Sequence, residues 1–424
     1  MTTEIRINLL DLTSCISDAV DLIAKPLANH HRQVAYIGYH LGKELGFRLD
    51  RQNKVLLAGS LHDIGALSLK DKLHMLKFEA SSPHEHSMLG YCLLKMFDPF
   101  SEVASIVRMH HVPWDNGDGQ VFQGVEVPFE SHILHLADRI AILVKQGQEI
   151  LSQVERISEI IDSQSGSKFA PEIVEAFHSL AGRESFWFDL ASISPENTQI
   201  NDIYSSEVAV TLDETMSLVE LFAHIIDFRS RFTATHSSGI AASAEAIASI
   251  MNFSQDDRKM MRMAGYLHDL GKLAVPNEIL EKPARLTEEE YRVVRKHPYL
   301  TYRLLHRVEG LETIKTWAAL HHERLDGTGY PFHLKKEELH IGSRIMAVAD
   351  VFTAITEDRP YRKGMSEADV LKTLQQMVHQ SALDGEIVNI LKENYNEING
   401  LRTSAQKAAL ETYQGFFEGF QQCA

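Results

Sequence analysis

Histidine and aspartate recur in this chain at positions that could together hold metal ions. In its second half they stand as Thr235-His236-Ser-Ser, Leu267-His268-Asp269-Leu270-Gly271, His297-Pro298, His321-His322 and Val348-Ala349-Asp350-Val351. Imidazole nitrogens and carboxylate oxygens suit iron, manganese, zinc or nickel better than magnesium or calcium. Seven donors, His236, His268, Asp269, His297, His321, His322 and Asp350, exceed the needs of one tetrahedral ion. They fit two divalent transition metal ions in octahedral surroundings, bridged by a water and a carboxylate, with Asp269 the candidate bridge. A water so held loses its proton near neutral pH and can attack phosphorus in line, while the cations neutralise charge on the phosphoryl oxygens. The reaction class this implies is phosphoester hydrolysis.

Nearby cations fit the same chemistry. Lys272 directly follows the glycine of His-Asp-Leu-Gly, where it can stabilise charge building on a phosphate; the alternative is a solvated lysine at a helix end. Arg359 and Arg362, in Asp358-Arg359-Pro360-Tyr361-Arg362, can clamp phosphates bidentately or be ordinary surface charge in a loop. The run from Glu323 to Pro331 reads as a glycine-rich turn after the paired histidines.

The elements that must position these residues occur twice. The first half carries His30-His31-Arg-Gln-Val, Leu61-His62-Asp63-Ile64-Gly65, His86-Ser-Met-Leu-Gly90, His110-His111 and Leu136-Ala137-Asp138-Arg139. Measured from His31, His62, His86, His110 and Asp138, the offsets to the second series are 205, 206, 211, 211 and 212 residues. So constant a register marks an internal repeat and fixes two domains, with a boundary near residue 200 in the Ser-Pro-Glu-Asn-Thr stretch between Ala191 and Ser206. The domains are therefore expected at 1–200 and 201–424. Apolar residues before each His-Asp pair follow helical spacing: Val55, Leu56, Ala58 and Leu61, then Met261, Met263, Ala264 and Leu267. Both pairs should lie at helix ends, with Gly65 and Gly271 as helix-stopping glycines. Further helices are expected over Glu214–Ile226, from Thr287 with a capping-box start, over Ser366–Met377, and over an amphipathic Ala408–Phe420.

Composition bounds what such a protein does. With 424 residues, 44% hydrophobic, 24 Gly and only 12 Pro, the chain is a folded and mainly helical protein. Its net charge of −16 argues against a general grip on nucleic acid or an anionic membrane, though a local basic pocket can still hold a small phosphate ligand. Three scattered cysteines, Cys15, Cys92 and Cys423, indicate neither a disulfide framework nor a thiolate zinc site. No export signal or apolar run of about 18 residues is visible, so a cytoplasmic location is expected.

From Leu212 to Met377 the sequence resembles the HD-GYP domains of the HD phosphohydrolase superfamily. His321-His322-Glu323-Arg324-Leu325-Asp326-Gly327-Thr328-Gly329-Tyr330-Pro331 contains the signature, and His268-Asp269-Leu270-Gly271-Lys272 is the other specific block. The resemblance implies an all-α fold of two tandem HD-type domains and a binuclear or trinuclear centre, often iron or manganese. It implies hydrolysis of a cyclic dinucleotide, cyclic di-GMP or 3',3'-cyclic GMP-AMP, to a linear product. The seven donors above would be its metal ligands, Lys272 its catalytic lysine, and Arg359 and Arg362 its phosphate-binding residues. Trinuclear members carry a glutamate where this chain has Phe232, so two ions are expected. Thr301, Gly239-Ile240 and Thr353 also depart from the family pattern, which bears on the pocket wall more than on the ligands and brings the mixed dinucleotide forward as substrate.

The segment from Pro26 to Ile150 resembles a divergent sister domain. It keeps His31, His62, Asp63, His86, His110, His111 and Asp138 as a second set of metal donors, but has Ala66 in place of the lysine and Trp114 to Gly119 in place of Gly-Tyr-Pro. Loss of the lysine is expected to cost about 2–4 kcal/mol of barrier, on the order of 10²–10³ in rate, leaving a regulatory, structural or weakly active domain. Two other readings carry different tests: a nucleotide phosphomonoesterase on the same centre, and a receptor that binds the dinucleotide without turnover. A homodimer or a protein partner is compatible with all three.

Overall fold

The computed structural model describes residues 7–22, 29–66, 84–194, 209–227, 235–282, 284–358 and 363–423. Among them the chain is all-α apart from two short strand pairings, Ile7–Asn8 antiparallel to Ala209–Val210 and Val121–Phe122 antiparallel to Val125–Glu126, and two isolated bridges, Ser165 with Phe169 and Asp326 with Lys335. It divides into two compact units, one of Leu10–Val208 with Phe420–Ala424, the other of Ala209–Gly419 with Met1–Leu9. The junction expected near residue 200 falls within 195–208, outside the described residues.

In the first unit the donors are carried by helices His30–Glu44, Leu49–Leu61, His84–Leu94, Ser101–Arg108 and Phe129–Leu143. In the second they are carried by His236–Ile250, Gln255–Leu267, His297–Leu305, Glu312–Ala319 and Ile341–Thr356. Each buries an apolar stripe: Val34, Ile37 and Leu41 on one, Ile240, Ala244 and Ile247 on its counterpart, all fully buried. Burial at about 1.5–3 kcal/mol for each large side chain holds these helices in place. Their ends are set locally. Ser254 accepts from Asp257 N, Ser366 accepts from Asp369 N, and the capping box expected at Thr287 forms with Glu290. The helix expected over Glu214–Ile226 runs Leu212–Asp227, and the C-terminal one is a single helix, Tyr395–Cys423.

Two glycine positions explain why the repeat is so strict. A Cβ on Gly59 would meet Ala35 Cα at 2.7 Å, and one on Gly265 would meet Ala241 Cα at 2.5 Å, so in each unit the first two donor helices cross in backbone contact. That crossing delivers His62 and His268, three residues later, to the same place. Gly65 and Gly271 do something different from stopping a helix. The helices already end at Leu61 and Leu267, and neither glycine has a positive φ. A Cβ on Gly65 would lie 2.1 Å from His86 O, and one on Gly271 2.1 Å from His297 O. The glycine is there because the backbone of the third histidine presses on it.

Candidate metal centre

In the second unit His268, His297 and His321 are oriented identically. Each Nδ1 donates to the carbonyl three residues earlier: Gly265 O at 2.7 Å, Val294 O at 2.8 Å and Ala318 O at 2.6 Å. A carbonyl can only accept, so Nδ1 carries the proton and Nε2 presents a lone pair to the interior. His268 Nε2 lies 3.1 Å from Asp269 Oδ2, and His297 Nε2 lies 3.2 Å from Asp269 Oδ1 and 3.4 Å from His321 Nε2. Lone pairs thus face lone pairs in a buried pocket. Among the described residues His268 Nε2 and Asp269 Oδ1 find no hydrogen-bond partner. Cations would satisfy both.

The remaining donors close the cluster. His236 Nε2 stands 3.7 Å from Asp350 Oδ1, and His322 Nδ1 stands 4.0 Å from Asp350 Oδ2. Donor atoms of His236, His268 and Asp350, of His268, Asp269 and His321, and of His297, His321 and His322 lie within 4.8 Å of one another in each group. All seven expected ligands therefore converge, and Asp269 lies against the imidazoles of both His268 and His297. Burial pushes His321 down to about 4 and His297 and His322 well below the usual histidine value, which keeps them unprotonated for ligation. Burial also works against the Asp269 carboxylate, but His268 and Lys272 outweigh it and hold the group well below its ordinary value. The Lys272 ammonium bonds Asp269 Oδ2 directly.

Access is one-sided among the described residues. The side chains of His322 and Asp350 are 28% and 14% exposed, against 1% for His268. The Gly-Tyr-Pro turn borders that side. Buried Glu323 accepts from the backbone N–H groups of Phe332, His333 and Leu334, folding the turn back so that the Tyr330 ring lies 4.9 Å from that of His322.

Several positioning residues were not evident from the sequence. Glu357 Oε1 lies 3.1 Å from His236 Nδ1, and Gln406 of the C-terminal helix donates to Glu357 Oε2 at 3.2 Å. Gly239 makes room for Gln406, because a Cβ there would meet its Nε2 at 2.7 Å. Thr301 braces a ligand turn instead of lining a wall: Gly271 N donates to its Oγ1 at 3.0 Å, and that hydroxyl donates to His268 O at 3.1 Å. Asp227 is buried and pushed well above the usual carboxylate value by desolvation, with Asp269 adding to the rise. Arg359, Arg362 and Phe232 lie outside the described residues.

The first unit repeats the arrangement with one correction. His30, not His31, joins the cluster: His30 Nε2 is 3.3 Å from His62 Nε2 and 3.2 Å from Asp138 Oδ1. His31 instead bonds Asp21 through Nδ1. The helix starts at His30 as its counterpart starts at His236, which makes that offset 206, identical to the offset of His62. His62 and His110 donate Nδ1 to Gly59 O and Val107 O, as in the second unit. Donor atoms of Asp63, His86, His110 and His111 lie within 4.8 Å of one another, and all four residues are buried.

Two helical units that each gather histidine and aspartate from successive helix ends define a tandem HD-domain protein. Models of the HD domain family match residues 27–143 and 220–387. The chain belongs to the HD-domain phosphohydrolases, and its second domain is of the HD-GYP kind. It is similar to the 3'3'-cGAMP-specific phosphodiesterase 1 of Vibrio cholerae, with 29% identity over 402 residues, 92% of this chain and 93% of that protein. The 3'3'-cGAMP-specific phosphodiesterase 3 of the same organism is 33% identical over 302 residues, 70% of this chain and 64% of the relative. A cyclic di-GMP phosphodiesterase of Pseudomonas aeruginosa is 40% identical over 144 residues, 34% of this chain and 35% of its own length. A crystal structure of a cyclic GMP-AMP specific phosphodiesterase of V. cholerae shares the fold, with a TM-score of 0.64 at 24% identity over 92% of this chain and 98% of that one. No described helix is long and apolar enough to cross a membrane.

Proposed function

We propose that the second domain is a metal-dependent phosphodiesterase that hydrolyses one phosphodiester of a cyclic dinucleotide, giving the linear dinucleotide. The observation that carries this reading is the convergence of seven His and Asp donors, with Asp269 between His268 and His297, on a centre open at His322 and Asp350. His236, His268, Asp269, His297, His321, His322 and Asp350 would hold two divalent transition metal ions, iron or manganese being the first choice from the resemblance to HD-GYP domains, while the donor set also suits nickel or zinc. Such ions acidify water and neutralise charge on phosphoryl oxygens. Lys272, 23% exposed beside Asp269, donates to an equatorial phosphoryl oxygen as negative charge grows there. Arg359 and Arg362 clamp the phosphates. Water adds to phosphorus, the bond to the 3' oxygen breaks, and that oxygen leaves with a proton.

The substrate favoured is 3',3'-cyclic GMP-AMP, with cyclic di-GMP second. The support is that the relatives matched over most of this chain are named for the mixed dinucleotide, whereas the cyclic di-GMP phosphodiesterase of P. aeruginosa is matched over 34% of it. The first domain is regulatory, structural or weakly active, since Ala66 stands where Lys272 would be and is itself buried. The cytoplasm is the compartment that fits three scattered cysteines that indicate no disulfide framework.

Mass spectrometry of products tests the assignment. The manganese- or iron-loaded full chain is incubated with equal amounts of the two cyclic dinucleotides, with Asp269→Asn as the blank. A linear dinucleotide establishes the reaction and its preference. Release of inorganic phosphate from mononucleotides with no ring opening would instead assign a phosphomonoesterase, and binding without product a receptor. Turnover that survives Asp269→Asn while bound metal is lost would belong to the first domain.

A further inference from the structure

The open side of the second-domain centre carries a cation to which neither the donor cluster nor the family signature gives a task. Arg295 ends the helix Glu288–Val294, two residues before the ligand His297, and is partly buried. Its Cζ lies 4.5 Å over the ring of Tyr330, and that ring lies 4.9 Å from the ring of His322. A hydrogen bond between the side chains of Tyr330 and Tyr291 helps to hold the phenol in place. The guanidinium therefore stands one aromatic ring away from the exposed ligand of the centre.

Lys272, the other cation beside the centre, is spoken for by Asp269. Arg295 is not so engaged: among the described residues its guanidinium makes neither an ion pair nor a side-chain hydrogen bond, and what stands against it are the rings of Tyr330 and, at 5.9 Å, Tyr291. Stacking on a ring suits a guanidinium and leaves the N–H groups at its edge to meet a planar pair of acceptors. Partial burial removes water from those donors, so leaving them without an acceptor has a cost that a ligand would lift. Tyr291 is 47% exposed, which places an aromatic face beside any flat group gripped there.

In a cyclic dinucleotide the acceptor pair that matches this fork is the O6 and N7 edge of guanine. Adenine presents an acceptor at N7 but a donor at N6, and that donor opposes an arginine N–H. We propose that Arg295 is a guanine-reading residue of the second domain, its guanidinium, seated on Tyr330, donating to O6 and N7 of a guanine whose neighbouring phosphate lies on the metal donors. The inference rests on the cyclic-dinucleotide reading of this site and adds a specificity to it. Guanine is the base that 3',3'-cyclic GMP-AMP and cyclic di-GMP have in common, so one reader serves both and disfavours an all-adenine ring. Arg295 acts on binding and not on the bond that breaks.

The test compares 3',3'-cyclic GMP-AMP with its 7-deazaguanine analogue, which replaces the guanine N7 acceptor by C–H and leaves both phosphates and the adenine untouched. The manganese-loaded full chain is used as wild type and as Arg295→Met, and the comparison is read as KM where the ring is opened and as Kd where it is bound unopened. Wild type should take the analogue about tenfold less well than the natural ring. Arg295→Met should bind the natural ring about 10–100-fold less well, accept the two rings equally, and keep its kcat. A wild-type chain that does not distinguish the two rings overturns the base contact. Equal weakening of both rings in Arg295→Met, with the wild-type ratio between them kept, would give the guanidinium to a phosphate and overturn the reading of the base. A fall in kcat with KM and the ratio unchanged would make Arg295 a prop for Tyr330 instead. Wild type that neither binds nor opens either ring would remove the cyclic-dinucleotide reading itself, and this inference with it.

Discussion

Glu357 Oε1 lies 3.1 Å from Nδ1 of His236, a residue 121 positions earlier in the chain. Burial would lower the affinity of His236 for a proton, but the Glu357 charge wins and the imidazole sits above its usual value. The carboxylate fixes the ring so that Nε2 faces Asp350, and it raises the basicity that a metal ion would use. Glu357→Gln should keep the hydrogen bond and lose the charge. Metal affinity of the second domain is expected to fall about 10–100-fold, read by competition against a chelator. An unchanged affinity would show that Glu357 is only a buried structural carboxylate.

Asp269 should be the least replaceable donor. Its two oxygens lie 3.1 Å and 3.2 Å from imidazoles of different helices, so one substitution removes a contact to each. Asp269→Asn is isosteric and should fold, with a far-UV spectrum like that of wild type, yet bind less metal and turn over no cyclic dinucleotide. Full metal content together with full activity would remove Asp269 from the centre.

Lys272 makes a kinetic prediction that separates charge from binding. Its ammonium bonds Asp269 and is partly exposed beside the open face. If it acts mainly where charge builds, Lys272→Ala should lower kcat by about 10²–10³ with little change in KM. A raised KM at unchanged kcat would make it a ground-state binding residue.

The histidine series and its offsets were legible because ligand identity is written in residue type and spacing. What the sequence left ambiguous were choices made by helix register. Adjacent His30 and His31 point to different sides of one turn, and only the helix start at His30 selects which enters the cluster. Glu357, Asp227 and Gln406 escaped notice because they act through buried contacts between distant segments, and no spacing announces those. Gly271 looked like a helix stop because a glycine after a helix usually is one. Its actual constraint, the carbonyl of His297, comes from another helix.

That constraint predicts a distant effect of a small change. A methyl group on Gly271 would sit 2.1 Å from His297 O, and the backbone there begins the helix that carries the ligand. Neither side can yield cheaply, since both are main chain. Gly271→Ala should therefore lower the thermal midpoint and weaken metal binding together, a coupling that a simple loss of helix termination would not give. Normal metal affinity in a destabilised Gly271→Ala protein would separate the two effects and refute the packing role.

His40, which belongs to neither cluster, gives the chain a pH dependence of calculable sign. It packs 4.4 Å from the Tyr36 ring, and its Nε2 finds no hydrogen-bond partner among the described residues. Burial, with help from Lys43 and against Asp189, pushes it down to about 4. In the unfolded chain it protonates near the ordinary value of about 6.5. Between those values the unfolded state binds more protons, so stability falls as pH drops through the window and the loss is complete below about 4. One such group tilts stability by at most about 1.4 kcal/mol per pH unit. The chelator-treated protein should melt at progressively lower temperature from pH 7 to pH 5, and His40→Gln should make that dependence shallower. An identical slope in both proteins would mean that His40 is accessible to protons in the folded state.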